Sequence, residues 1–106
     1  MKSSNILRSI PGELSDEVFE DIIQSTSVRI ERIISKGHTS PEQGWYDQDE
    51  NEWVMLVDGS ATIEFENGVS LTLSKGDYVN IPAHKKHKVS WSDPGQITIW
   101  LAVFYS

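Results

Sequence analysis

The chain has no cysteine, which removes disulfides, thiolate metal sites and a cysteine nucleophile at once. A cysteine-free chain also fits a reducing compartment. Basic residues are few, with nine Lys and Arg against sixteen Asp and Glu, for a net charge of −7. Nucleic-acid binding needs clustered Lys and Arg to displace counterions from phosphates, and no such surface is in prospect. The single basic cluster, Lys85-Lys86-His87-Lys88, is short and lies between turn and strand signals. No apolar run approaches membrane-spanning length, and residues 1–8 lack the apolar centre of a signal peptide. A cytoplasmic protein with no nucleic-acid or membrane partner is expected. Seven glycines, four prolines and an apolar fraction of 38% belong to a globular chain, and 106 residues are enough for one domain with a modest core.

What is present is a series of short alternating segments with turn signals between them. Residues 1–12 form an arm that ends in the turn Ile10-Pro11-Gly12. Ser15 can cap a helix, with Asp16 and Glu17 in its first turn. Val18, Phe19, Ile22 and Ile23 then recur at helical spacing through about Gln24. From Ser27 the period changes to two: Val28, Ile30, Arg32 and Ile34 alternate with Arg29, Glu31, Ile33 and Ser35, a strand ending at Lys36-Gly37. Glu52 to Val57 is apolar on both faces apart from Glu52, so burial on both sides is expected.

Asp58-Gly59 turns the chain into the alternating Ala61–Glu66, and Asn67-Gly68 signals a two-residue hairpin turn. Val69, Leu71 and Leu73 follow, then a turn at Lys75-Gly76-Asp77 and a short strand from Tyr78 to Ile81. His87, Val89 and Trp91 alternate with Lys86, Lys88 and Ser90, which points His87 inward. Ile97 to Tyr105 closes the chain as a long apolar strand. One short helix followed by six to eight strands favours an antiparallel sandwich or barrel. The reading divides the chain into an arm and helix over 1–26 and a β-barrel over 27–106.

Two stretches carry the chemistry, Trp45–Gly59 (WYDQDENEWVMLVDG) and Gly76–Trp91 (GDYVNIPAHKKHKVSW). Glu52 and Gly59 are separated by six residues, Gly76 and Pro82 by five, and His87 follows Pro82 at a fixed distance. In these spacings the chain resembles the cupin family, whose first motif runs Gly, His-x-His, Glu, Gly and whose second runs Gly, Pro-x-Gly, His, Asn. The resemblance implies an all-β, double-stranded β-helix: a cupin jelly-roll barrel, here with a short N-terminal helix. Members of the family typically hold a divalent metal with three histidines and a glutamate.

This chain keeps only Glu52 and His87 of that set. With three residues before Glu52, the first-motif histidines become Tyr46 and Gln48; with four, they become Trp45 and Asp47. The second-motif glycine is His84 and its asparagine is Trp91. The resemblance therefore places a pocket at Tyr46, Gln48, Glu52, His87, Trp91 and Trp45. A divalent transition metal (Fe, Ni, Mn or Zn) would draw on His87, Glu52 and Gln48, with Asp47, His38 or His84 as substitutes. Read as chemistry, His87 is either an imidazole ligand or a core histidine bonded to Tyr46 or Glu52. Glu52 on a buried strand face needs a metal, a basic partner or a raised pKa. Tyr46 and Gln48 suit hydrogen bonding to a small molecule, and Trp45 and Trp91 suit either packing or a stacking wall.

Other motifs fail. Asp47-x-Asp49-x-Asn51 opens like a calcium loop, but its sixth position is Glu52 where glycine is required. His84-x-x-His87 lacks a helical context, and no phosphate loop or recognisable nucleophile triad is present. The expected function is a cupin that binds a small molecule, with metal absent or weakly bound. A metal-dependent oxygenase or isomerase using His87 and Glu52 is the alternative, and a homodimer is expected because outer edge strands need cover.

Overall fold

The computed structural model describes residues 1–40 and 44–106. Among the described residues eight strands follow one another: β1 (Val18–Gln24), β2 (Val28–Ser35), β3 (Asn51–Asp58), β4 (Ser60–Phe65), β5 (Ser70–Ser74), β6 (Tyr78–Ile81), β7 (His87–Ser92) and β8 (Thr98–Tyr105). They form a five-stranded sheet in the order β1-β2-β8-β3-β6 and a three-stranded sheet in the order β5-β4-β7. Each pairing within the two sheets is antiparallel. The inward faces meet in a core of Val54, Leu56, Ala61, Ile63, Phe65, Leu73, Ile81, Trp100, Ala102 and Phe104. This is the all-β jelly roll that the alternating segments point to.

The chain changes sheet at Gly59. Its φ is +96°, and a Cβ placed there would lie 2.6 Å from the Thr98 backbone and 2.5 Å from the Thr98 hydroxyl. Only glycine can take that conformation at such close approach. The corner thus depends on the last residue of the first motif.

Three expectations are corrected. Residues 18–24 are strand β1, not a helix, and β1 pairs along the length of β2 as a member of the sheet. A register shift between Asp21 and Ile23 inserts an extra residue, Ile22, which breaks the period of two. The apolar spacing of Val18, Phe19, Ile22 and Ile23 then imitates a helical stripe. Second, β3 is buried on one face: Glu52, Val54 and Leu56 are buried while Trp53, Met55 and Val57 are half-buried. Trp53 lies on the outer face beside Tyr78, ring centroids 5.4 Å apart. Third, Asn67-Gly68 does not form a two-residue turn. Gly68 N–H donates to the Phe65 carbonyl and Phe65 N–H to the Val69 carbonyl. With Gly68 alone at positive φ, this is a three-residue loop closing on a glycine bulge.

Candidate functional site

Glu52 is the second residue of β3, opposite Ile81 on one side and Phe104 on the other, and its side chain is on the buried face of the strand. His87 opens β7 opposite Phe65 and enters from the facing sheet. Nε2 of His87 lies 3.1 Å from Oε1 of Glu52, and the two side chains are only 7% and 11% exposed. The amide of Gln48 donates to the same oxygen at 3.0 Å. Nδ1 of His87 lies 2.8 Å from the Lys85 carbonyl. A carbonyl only accepts, so Nδ1 carries a proton, and Nε2 and Glu52 share another. Burial disfavours the imidazolium. The hydrogen bond to Glu52, the Lys85 carbonyl and the charge of Glu52 together outweigh burial, and the His87 pKa is raised above 6.5. The raised pKa favours the imidazolium–carboxylate form of the pair.

Above this pair lies a cavity of about 300 Å³ between the two sheets. Its walls are largely apolar, from Ile33, Val54, Ile63, Val89, Trp100 and Phe104, with Tyr46, Gln48, Glu52 and His87 at the polar end. Strand β2 adds Arg29 and Glu31. Arg29 donates to Glu31 and, at 3.0 Å, to Glu50, and its guanidinium stacks 4.1 Å above the Phe104 ring. Glu17 completes the lining ahead of β1. Burial raises its pKa and His38 partly offsets that rise.

The segment 44–50 holds the polar end in place. Tyr46 exchanges backbone hydrogen bonds with His87 at 2.8 and 3.2 Å, and its ring centroid is 5.8 Å from that of His87. Tyr46 and Gln48 thus take the inward positions, so the three-residue spacing before Glu52 is the one the fold uses. Asp47 points the other way, accepting from His84 Nδ1 at 2.8 Å, while Asp49 lies 3.3 Å from His84 Nε2. His84 is largely exposed at 62% and sits at φ +64°, the left-handed region. The glycine of the second motif is thus replaced by a residue that keeps the glycine backbone conformation. His38 accepts the Lys36 N–H at Nδ1 and donates from Nε2 to the Ser15 carbonyl. Both of its nitrogens are engaged outside the cavity lining.

Trp45 and Trp91 do not line the cavity. Trp45 lies under Lys88, whose ammonium is 4.5 Å from the ring centroid. Trp91 is 42% exposed. β7 pairs Trp91 with Thr62 but Val89 with Ile63, so Ser90 is an extra residue and the alternation reverses after Val89. Trp100 takes the aromatic wall instead.

Among the described residues, the groups that meet around Glu52 are its own carboxylate, the His87 imidazole and the Gln48 carboxamide. Among the described residues no group of three His, Cys, Asp or Glu could hold a metal ion. The set does not fit the three-histidine, one-glutamate arrangement. With Asp47 and His84 paired outside and His38 engaged elsewhere, none of the substitutes reaches His87.

Arg29, Glu31 and Glu17 are the charged cavity residues that sequence reasoning missed. Arg29 and Glu31 alternate with Ile33 on one face of a strand. A solvated edge reads the same way, so only the sheet order could place them inside.

The cupin-domain family model matches residues 31–104. A structure from Ralstonia eutropha JMP134, named provisionally as a mannose-6-phosphate isomerase, is 41% identical and superposes with a TM-score of 0.95. The match covers 100% of this chain and 99% of that one. A cupin superfamily protein from Desulfitobacterium hafniense DCB-2 is 18% identical with a TM-score of 0.75, over 91% of this chain and 83% of its own. An RmlC-like cupin with a double-stranded β-helix fold from Methanocaldococcus jannaschii is 18% identical with a TM-score of 0.71, over 91% and 85%. No curated protein sequence matches the chain significantly.

Proposed function

Because the chain belongs to the cupin family, we propose that its barrel binds a small organic molecule, with a transition metal absent or weakly held. The observation that carries this reading is the hydrogen-bonded His87–Glu52 pair at the polar end of a cavity of about 300 Å³. The two side-chain types kept from the metal site satisfy each other, and a ring nitrogen bonded to Glu52 offers a metal no lone pair while it carries the proton. The cavity volume is at the lower end of ligand pockets, and an apolar wall with a few convergent polar groups is their usual composition. Tyr46 and Gln48 frame its polar end and Trp100 and Phe104 its apolar wall.

A metal-dependent enzyme of oxygenase or isomerase type, using His87 and Glu52, is the second reading. The provisional name of the Ralstonia relative, matched over its whole length, favours the isomerase form. Metal analysis of protein purified without an affinity tag separates the two. The first reading expects Fe, Ni, Mn and Zn well below one equivalent. Near-stoichiometric metal that disappears in His87→Ala would overturn it, as would isomerisation of mannose 6-phosphate lost in the same variant.

The proposal extends to a cytoplasmic homodimer. Among the described residues no helix is long and apolar enough to cross a membrane, and the chain has no cysteine. β1 lies at the end of its sheet and exposes Phe19, Ile22 and Ile23, an open edge with apolar side chains that a second copy would cover.

A further inference from the structure

The charges around the cavity narrow the class of molecule it suits. Among the described residues three carboxyl side chains line it, Glu17, Glu31 and Glu52, against two basic groups, Arg29 and His87. Both are already engaged. Arg29 is held between Glu31 and Glu50 with its face on Phe104, and His87 is held by Glu52 and the Lys85 carbonyl. An anionic ligand would have to share one of them with a carboxylate already bound to it, and bringing two negative charges together inside a barrel is costly.

Glu17 is in the opposite position. Its half-buried carboxyl lines the cavity, and no described residue donates a hydrogen bond or forms an ion pair with it. Burial pushes its pKa up, against the influence of His38, so a cation brought beside it would offset that desolvation and be attracted to the carboxylate. Apart from the charged groups, Ser40 and the polar end at Tyr46 and Gln48, the wall is apolar and aromatic and includes Phe19, Trp100 and Phe104. Aromatic rings in a cavity that also holds a carboxylate suit an ammonium group.

Resting on the small-molecule reading above, we infer that the cavity takes a compact ligand with an apolar or aromatic body and a cationic, ammonium-type head beside Glu17. The inference disfavours sugar phosphates, because a phosphate needs uncommitted cations. It makes Glu17 the residue that selects ligand charge.

Three probes of nearly equal shape test it: phenethylamine, 2-phenylethanol and phenylacetate, differing in head-group charge. Calorimetry would measure affinity, and the Trp100 indole N–H resonance would locate binding in the cavity. The amine is expected to bind about tenfold or more tighter than the acid, with the alcohol between them. Glu17→Gln should reduce the amine-to-acid ratio several-fold while the alcohol affinity stays within about twofold. Glu66→Gln, an exposed acid outside the cavity, should leave the ratio unchanged. Binding of phenylacetate or mannose 6-phosphate at least as tightly as the amine overturns the inference but keeps the cavity as a binding site. An unchanged ratio in Glu17→Gln overturns the role of Glu17. If none of the probes moves the Trp100 resonance at millimolar concentration, the inference and the small-molecule reading fall together.

Discussion

His87 and Glu52 approach from opposite sheets and meet at 3.1 Å, each the partner that the other's burial requires. The contact joins β7 to β3 across the barrel at the same point where the polar end of the cavity begins. Its first consequence is a pH dependence. The His87 pKa is raised in the folded chain, so the protonated ring contributes stability that is fully present below the unfolded value of about 6.5. That contribution is lost as pH rises through the folded value. The imidazole resonance of His87 should titrate above 6.5, and Glu52→Gln should bring its midpoint down. Thermal midpoints should fall as pH rises through that window in the wild type and less so in the variant. A His87 midpoint below 6.5 would refute the ion pair.

Removal of one partner leaves the other buried with a single hydrogen bond, from Gln48 to Glu52 or from His87 to the Lys85 carbonyl. Glu52→Ala or His87→Ala is expected to cost about 3 kcal/mol in urea denaturation. The double replacement His87→Leu with Glu52→Met should cost less than the sum of the single losses, because no buried charge remains. Additive losses would show that the two side chains are not coupled.

Gly59 and Gly76 both have positive φ, +96° and +91°, but differ in what surrounds them. A Cβ at Gly59 meets β8 at 2.6 Å, and one at Gly76 meets nothing within 4 Å. Gly76→Ala should therefore lose only the backbone term, about 1–2 kcal/mol. Gly59→Ala carries the same term plus a backbone clash at the sheet corner and should be clearly worse, or fail to fold. Equal midpoints for the two variants would contradict the close approach.

His84 occupies a left-handed position that alanine tolerates poorly and glycine well. His84→Ala loses the ring contacts to Asp47 and Asp49 and keeps the strain. His84→Gly loses the same contacts and relieves it. The glycine variant should be the more stable of the two by about 1 kcal/mol by chemical denaturation. The opposite order would mean that the backbone at 84 relaxes out of that region.

Light scattering at micromolar concentration should give about twice the 12.0 kDa chain mass, and Phe19→Asp with Ile23→Lys on the β1 edge should bring it toward one. A wild-type mass near 12.0 kDa would refute the homodimer.

The sequence by itself determined most of the barrel. Alternation in β2, β4 and β8 and glycines at the corners follow from local sterics and the period of two, and the spacings around Glu52, Gly59, Gly76 and His87 placed the two halves of the site face to face. What local patterning could not carry is phase. A bulge adds one residue and reverses every side chain beyond it, which is why β1 read as a helix and why Trp91 was placed inside when it points to solvent. Nor could a single strand reveal its neighbours. Arg29 and Glu31 belong to the cavity because β2 lies beside β8, and Glu17 because β1 joins the same sheet. The tertiary structure also brought one pair of residues together. His87 and Glu52 stand 35 positions apart in the chain, and the pairing of the two sheets sets them 3.1 Å from each other inside the barrel.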